Sequence, residues 1–213
     1  MDENVIKFNL ILLEKVSEKL KKNGFEDVWV FENKQQAKQK IIDIIPEKSQ
    51  VGLGGSMTVA ELGIIEELKK KNVQIVKHEL SMPLSERKNI WRRALTSDFY
   101  IASPQAITYD GKLFFIDKYG NRLTATIFGP GRVILIAGYN KLVPDEDSAL
   151  WRIRNISAVK NVHRLKLKTP CSTVGYCTDC ESQERICNVV SFLLRRPPAT
   201  EYSIILVNEE LGY

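Results

Sequence analysis

Short, almost purely apolar runs alternate along this chain with stretches of helical period, and that alternation limits the possible fold more than any other feature. "RVILIAG" at residues 132–138 is the most apolar run; "DVWVF" at 27–31, "QVGLG" at 50–54, "VQIV" at 73–76 and "DFYIAS" at 98–103 have the same character. Between them, residues 4–22 place Val5, Phe8, Leu12, Leu13, Val16 and Leu20 close to a 3.6-residue period and stop at Asn23-Gly24. Residues 34–45, ended by Pro46, and 58–71, 85–95 and 145–160 also read as helices. Strands without polar alternation that take turns with helices predict a three-layer α/β fold, a mostly parallel sheet covered by helices on both sides.

The middle and the end break this rhythm. "AITYDGKLFFID" at residues 106–117 predicts a hairpin around Asp110-Gly111, and "KYGNR" supplies a turn. The last stretch, "VVSFLLRRPPATEYSIILVNEE", predicts two strands separated by a proline-containing turn. With 213 residues and 44% hydrophobic content, the chain can bury a core as one domain spanning 1–213.

Charge and targeting signals narrow the function. The net charge of +5 and pI near 8.9 are modest for a chain so rich in acids, which argues against nucleic acid. "MDENVIKF" is acidic and lacks a basic n-region with an apolar h-region, and no apolar run approaches the roughly 18 to 20 residues that span a bilayer. The expectation is a soluble cytoplasmic protein with no membrane partner, with association between copies left open. Basic residues gather at Arg92-Arg93 and through Arg152, Arg154, Lys160, Arg164, Lys166 and Lys168, either as solvated faces or as a rim for an anionic metabolite.

Three segments can carry ligand chemistry. "VGLGGSMTVAELG" at 51–63 runs from a strand through Gly54-Gly55 into a helix, where free backbone N–H groups and the hydroxyls of Ser56 and Thr58 suit a phosphate or carboxylate. The same residues fit a capping box without a ligand, Thr58 capping and Glu61 reaching back. In residues 108–124, Asp110, Asp117, Gly120, Asn121 and Arg122 lie on turns; Arg122 suits bidentate pairing with an anion, and turn chemistry alone also accounts for Asp-Gly and Gly-Asn. Asn140 and Lys141 follow the most apolar strand, at the carboxyl edge where open α/β sheets bind ligands. His78, ending a strand, and His163, in a basic loop, belong to no GxSxG or HExxH motif.

All four cysteines, Cys171, Cys177, Cys180 and Cys187, fall in "TPCSTVGYCTDCESQERICN" with spacing C-x5-C-x2-C-x6-C. A reducing compartment disfavours disulfides, leaving thiolate ligands for zinc or an iron–sulfur cluster, or reduced thiols.

Taken in order, "VGLGGSMTVAELG", "SPQAITYDGKLFFIDKYGNR", "FGPGRVILIAGYNKLV", "RIRNISAVKNVHRLK" and "TPCSTVGYCTDCESQERICN" resemble the LUD-domain family of lactate-utilisation proteins of the C type, from about residue 4 to the final "VNEELGY". Gln105 stands where the family pattern usually has Asn, and Val159 where it has Pro. The resemblance implies a fold like that of ribose-phosphate isomerases, glucosamine-phosphate deaminases and CoA transferases, with phosphates or carboxylates held over glycine-rich loops. It also implies a role beside iron–sulfur partner subunits in oxidising L-lactate to pyruvate, and it makes residues 110–122 face the crevice of the glycine loop. Three functions follow as expectations: an accessory protein that binds a small anion; a stand-alone enzyme on a sugar phosphate or acyl-CoA with Glu61, Asp110 or Asp117 moving protons; and a metal-stabilised binding module.

Overall fold

The computed structural model describes residues 2–213. Among these residues six strands, β1 (Asp27–Phe31), β2 (Gln50–Leu53), β3 (Gln74–Lys77), β4 (Phe99–Ala102), β7 (Arg132–Gly138) and β10 (Glu201–Val207), form an all-parallel sheet in the order β1-β10-β7-β4-β2-β3. A smaller mixed sheet has the order β8-β5-β6-β9, from β5 (Ala106–Thr108), β6 (Leu113–Asp117), β8 (Leu142–Val143) and β9 (Val189–Leu193). The expected three-layer α/β architecture is what the chain adopts.

Alternation along β7 shows how the layers are held. Val133, Leu135 and Ala137 face a core built with α1 (Glu3–Lys22), α5 (Leu84–Ala94), α6 (Asn121–Ile127) and one face of the small sheet. Ile134 and Ile136 face the opposite core, closed by α2 (Lys34–Ile44), α3 (Met57–Leu62) and α4 (Ile65–Lys70). Burying both faces is why these strands read as continuous apolar runs. The other face of the small sheet, Ala106, Phe114 and Ile116, packs on Ala149 and Ile153 of a helix that runs as α7 (Glu146–Arg152), a π-helical turn Ile153–Ser157 and α8 (Ala158–Arg164). No helix among the described residues is long and apolar enough to cross a membrane.

Several local expectations need correction. The helix expected over 58–71 is two helices, because Gly63 takes the left-handed conformation (φ 58°) that ends α3. α3 begins two residues earlier than a Thr58 cap requires, so Ser56 is the N-cap and accepts from the Val59 N–H; the Thr58 to Glu61 capping box does not form. Residues 121–127 form α6, where the sequence predicts a turn. The two final strands form on either side of the proline-containing turn as expected, and they join different sheets, β9 beside β6 and β10 between β1 and β7. Val5 and Phe8 are exposed on α1, whose buried stripe is Leu13, Val16 and Leu20 with Asn9 and Ser17. His163 lies in the last turn of α8.

Candidate functional site

The carboxyl ends of the parallel strands converge on a cavity of about 380 Å³. Gly55 follows β2, His78 follows β3, Ser103 follows β4 and Lys141 follows β7; Asp117 ends β6 and Tyr213 closes the tail after β10. Such a place is where open α/β sheets bind ligands, since the loops leaving neighbouring strands diverge there.

The floor of the cavity is a buried lysine. Lys141 is 1% exposed, and its Nζ donates to Thr58 Oγ1 at 2.6 Å and to Ser103 Oγ at 2.5 Å. Thr58 passes its own proton to the Leu211 carbonyl and Ser103 to that of Pro104, so both hydroxyls are acceptors toward the amine. Burial lowers the Lys141 pKa to about 7, with Arg152 adding to the effect and Glu61 opposing it. Arg152 is itself buried and bonds only neutral oxygens: Asn140 O through Nε (3.1 Å) and Nη2 (2.8 Å), Ser157 Oγ (2.9 Å) and Gln105 O. Desolvation lowers its pKa to about 10. The turn that carries Ser157 is π-helical, a local widening of the helix often found at functional sites.

The walls add more positive charge. Arg122 bonds the Ile116 carbonyl at 2.9 Å and Asp117 Oδ1 at 3.3 Å, and Arg164 is aimed by Asn161 at 2.8 Å. Arg87 also lines the cavity, and its buried Nε has no hydrogen-bond partner among the described residues. Trp91 forms an aromatic wall against Tyr119, with ring centroids 5.1 Å apart, and donates its indole N–H to His78 Nδ1 at 3.0 Å. Burial, then Arg87, lowers the His78 pKa. The imidazole is therefore neutral at pH 7, with its proton on Nε2.

Asp117 is the carboxylate of this lining, and it is occupied. Its oxygens accept from the Lys118 N–H (2.8 Å), the Arg122 N–H (3.0 Å) and the Arg122 side chain. Among the described residues, Arg87, Lys118, Arg122, Lys141 and Arg164 thus line the cavity against one carboxylate already engaged. An arrangement so unbalanced attracts anions.

The structure brings together some of the residues named from sequence and separates others. Gly55, Ser56, Thr58, Asp117, Asn121, Arg122 and Lys141 share the cavity. Gly54 is a slot for Arg122: a Cβ there would lie 2.7 Å from Arg122 Cδ, so glycine is what lets that side chain pass. Gly120 starts α6 in the left-handed conformation and stands outside the lining. Asn140 ties down the tail, donating to Gly212 O at 3.1 Å and accepting from the Leu211 N–H at 3.2 Å. Glu61 is exposed and accepts from the Gly212 N–H at 2.8 Å. Asp110 is at the far end of β6, in the hairpin turn beside Asn23 at the end of α1, so residues 110–122 do not face one crevice. Its neighbours Lys112 and Thr108 hold its carboxyl below the usual range against the opposing effect of burial, the largest single influence. The sequence does not single out His78, Arg87 or Trp91 as site residues, and Arg152 and Arg164 enter there only as members of a basic series.

The four cysteines are free and surround a second, much smaller cavity together with Arg154 and Arg185. Among the described residues no three His, Cys, Asp or Glu side chains are placed to hold a metal ion, so the thiols as arranged do not fit zinc or an iron–sulfur cluster. A guanidinium ties the segment instead: Arg185 reaches Cys180 O (2.6 Å), Cys187 O (3.4 Å) and Asp179 (2.8 Å), while Cys171 Sγ rests on Thr169 Oγ1 at 3.1 Å. Burial pushes the Cys187 thiol up. Ala158 and Ile186 line both cavities, so the cysteine segment walls the cleft despite its distance in sequence from the glycine loop.

A family model described as the LUD domain matches residues 13–207. The fold is similar to the crystal structure of a DUF162 family protein from Deinococcus radiodurans, with a TM-score of 0.51 and 11% identity over 93% of this chain and 98% of that one. No curated protein matches the sequence.

Proposed function

The chain belongs to the LUD-domain family, and on that footing we propose that its cleft binds a small anionic metabolite, a carboxylate or a phosphate, in support of L-lactate oxidation to pyruvate with iron–sulfur partner subunits. One observation carries the anion: Lys141 and Arg152 are buried with only neutral oxygens as hydrogen-bond partners, beneath a lining that adds further guanidinium groups. A buried charge without a counter-charge is costly, and a bound anion relieves that cost. The lactate pathway and the iron–sulfur partners draw their support from the family resemblance.

Thermal shift against lactate, pyruvate, inorganic phosphate, sugar phosphates and CoA tests the reading, with glycerol as a neutral control. At least one anion should raise the melting temperature, and Arg122→Ala should weaken the response about tenfold or more in Kd, as the loss of one charged hydrogen bond implies. Equal stabilisation by glycerol, or none by any anion, would overturn it.

Stand-alone catalysis on a sugar phosphate or acyl-CoA is a second reading, favoured by Lys141 and not by the carboxylates. Asp110 lies elsewhere, Glu61 is exposed on its helix, and Asp117 is held by Arg122. Turnover of such substrates by the isolated chain would decide for it.

A further inference from the structure

We infer that Lys141 is a nucleophile which captures the carbonyl carbon of the bound anion as an imine, so that the ligand class is a short carboxylate or phosphate ester carrying an aldehyde or ketone. The inference rests on the anion-binding reading of the cleft and extends it to a reaction.

Hydrogen-bond bookkeeping at Nζ is the main argument. Thr58 and Ser103 have both committed their protons to backbone carbonyls, so each can only accept from Lys141. A neutral amine has two N–H bonds and one lone pair. In the neutral form both N–H bonds are anchored, which holds the nitrogen in place and leaves the lone pair without a partner, whereas the ammonium would carry a third N–H without one. An amine that served only as a fixed positive charge would gain from solvent that holds its proton. Lys141 has no salt bridge among the described residues and is only 1% exposed, at the floor of the cavity.

Its surroundings favour the free base. Desolvation and a neighbouring cation are the two devices by which proteins convert lysine into a nucleophile at neutral pH, and Lys141 has both, in burial and in Arg152. Arg122, Arg87 and Arg164 line the same cavity and can hold the anionic end of the ligand. A cavity of about 380 Å³ accommodates a small metabolite with room for attack.

The chemistry balances without a redox partner. The nitrogen lone pair forms a C–N bond as the carbonyl π bond opens, and the oxygen takes a proton to give a carbinolamine. Loss of water then forms the C=N bond. Both hydrogens of that water come from the amine, and no electrons are gained or lost overall.

Borohydride trapping tests this directly. The protein is incubated with pyruvate in one arm and glyceraldehyde 3-phosphate in the other, reduced, digested and mapped by mass spectrometry. We expect a secondary-amine adduct on the peptide containing Lys141 in at least one arm, and the arm that labels identifies carboxylate or phosphate as the anionic group. Enrichment over the exposed Lys69 of the same chain should be about tenfold or more, because each unit by which an amine pKa falls toward neutral multiplies its free-base fraction about tenfold. Lys141→Met should lose this adduct and keep the background on surface lysines; the comparison with Lys69 in the unaltered chain stands even where that variant fails to fold. Labelling of Lys141 no stronger than of Lys69 in both arms overturns the imine. Thermal stabilisation by the same anions without an adduct also overturns the imine while leaving anion binding intact, whereas the absence of stabilisation by any anion removes both.

Discussion

The two ends of β7 treat positive charge in opposite ways. At its start, Arg132 reaches Asp27 at 2.8 Å, Glu201 at 2.5 Å and Ser203 at 3.2 Å, drawing on the first residues of the two strands beyond it. Partial burial pulls its pKa down, but Glu201 and then Asp27 more than offset this, and the guanidinium is held above its ordinary value. Beyond the strand's other end, Lys141 and Arg152 are more deeply buried and find only neutral oxygens. One sheet therefore carries a matched charge cluster at the amino edge, where it closes the fold, and an unmatched one at the carboxyl edge, where loops enclose a cavity. The contrast separates charge that serves the fold from charge held ready for a ligand.

The sharpest test of that contrast is Arg152→Ala. Its guanidinium satisfies the Gln105 and Asn140 carbonyls and the Ser157 hydroxyl. Truncation leaves buried acceptors unpaired and opens a void, and should cost about 3 kcal/mol or more in chemical denaturation. It should also raise the Lys141 pKa, since Arg152 is the second cause of its lowering after burial. A near-neutral Arg152→Ala would mean that the buried hydrogen bonds contribute little.

Next in size is the pH dependence that Lys141 imposes. An unfolded lysine keeps its proton to about pH 10.5, whereas folded Lys141 gives it up near 7. Between those values the unfolded chain binds more protons, so stability rises with pH. The penalty is fully present below pH 7 and fades as pH climbs through the window. Unfolding free energies from denaturant titrations at pH 7 to 10 should rise by an amount on the order of a few kcal/mol attributable to this group, and Lys141→Met should flatten the rise. Identical slopes in the two proteins would place a charged, solvated lysine where the structure shows a buried one.

Much of this architecture was legible in the chain, for a physical reason. Parallel strands covered on both faces cannot alternate apolar with polar, so β7 and β10 announce themselves as unbroken runs. Helix α6 did not, because "NRLTATI" is rich in β-branched residues; tertiary contacts supply what propensity lacks, with Asp117 accepting the Arg122 N–H and Leu123 and Ala125 buried. In the site, Lys141 could be found from its place after the most apolar strand. Arg152 looked like one more member of a basic series, yet it shares its helical stripe with Ala149, Ile153 and Ser157, all buried. A charge on an apolar stripe was the available signal. Arg87, His78 and Arg164 carried no such mark, since their cavity is assembled from segments far apart in sequence.

At the matched end of β7, smaller effects are expected. Arg132→Ala removes a cluster whose charged members are all at least 29% exposed, which limits the worth of its ion pairs to about 1 kcal/mol, less at high salt. The anion-dependent thermal shift should be unchanged. Were that shift lost, the two ends of the sheet would be coupled and their separation into structural and ligand-facing charge would break.

The smallest effect is the most discriminating for the carboxylates. Asp110 and Asp117 flank β6, and by sequence alone either serves as a proton carrier beside the same ligand. Asp110 is 54% exposed and pairs with Lys112 at 2.9 Å in the hairpin turn, so Asp110→Asn should change stability by no more than about 0.5 kcal/mol at neutral pH. It should leave anion binding untouched. Asp117→Asn keeps the shape but removes the charge that orients Arg122, so the anion response should weaken with little change in fold. Measuring both variants with one ligand separates position from charge: a loss of binding in Asp110→Asn would draw the hairpin into the site, and equal binding in Asp117→Asn would show that the Arg122 guanidinium is held well enough by the Ile116 carbonyl and the Gly54 slot alone.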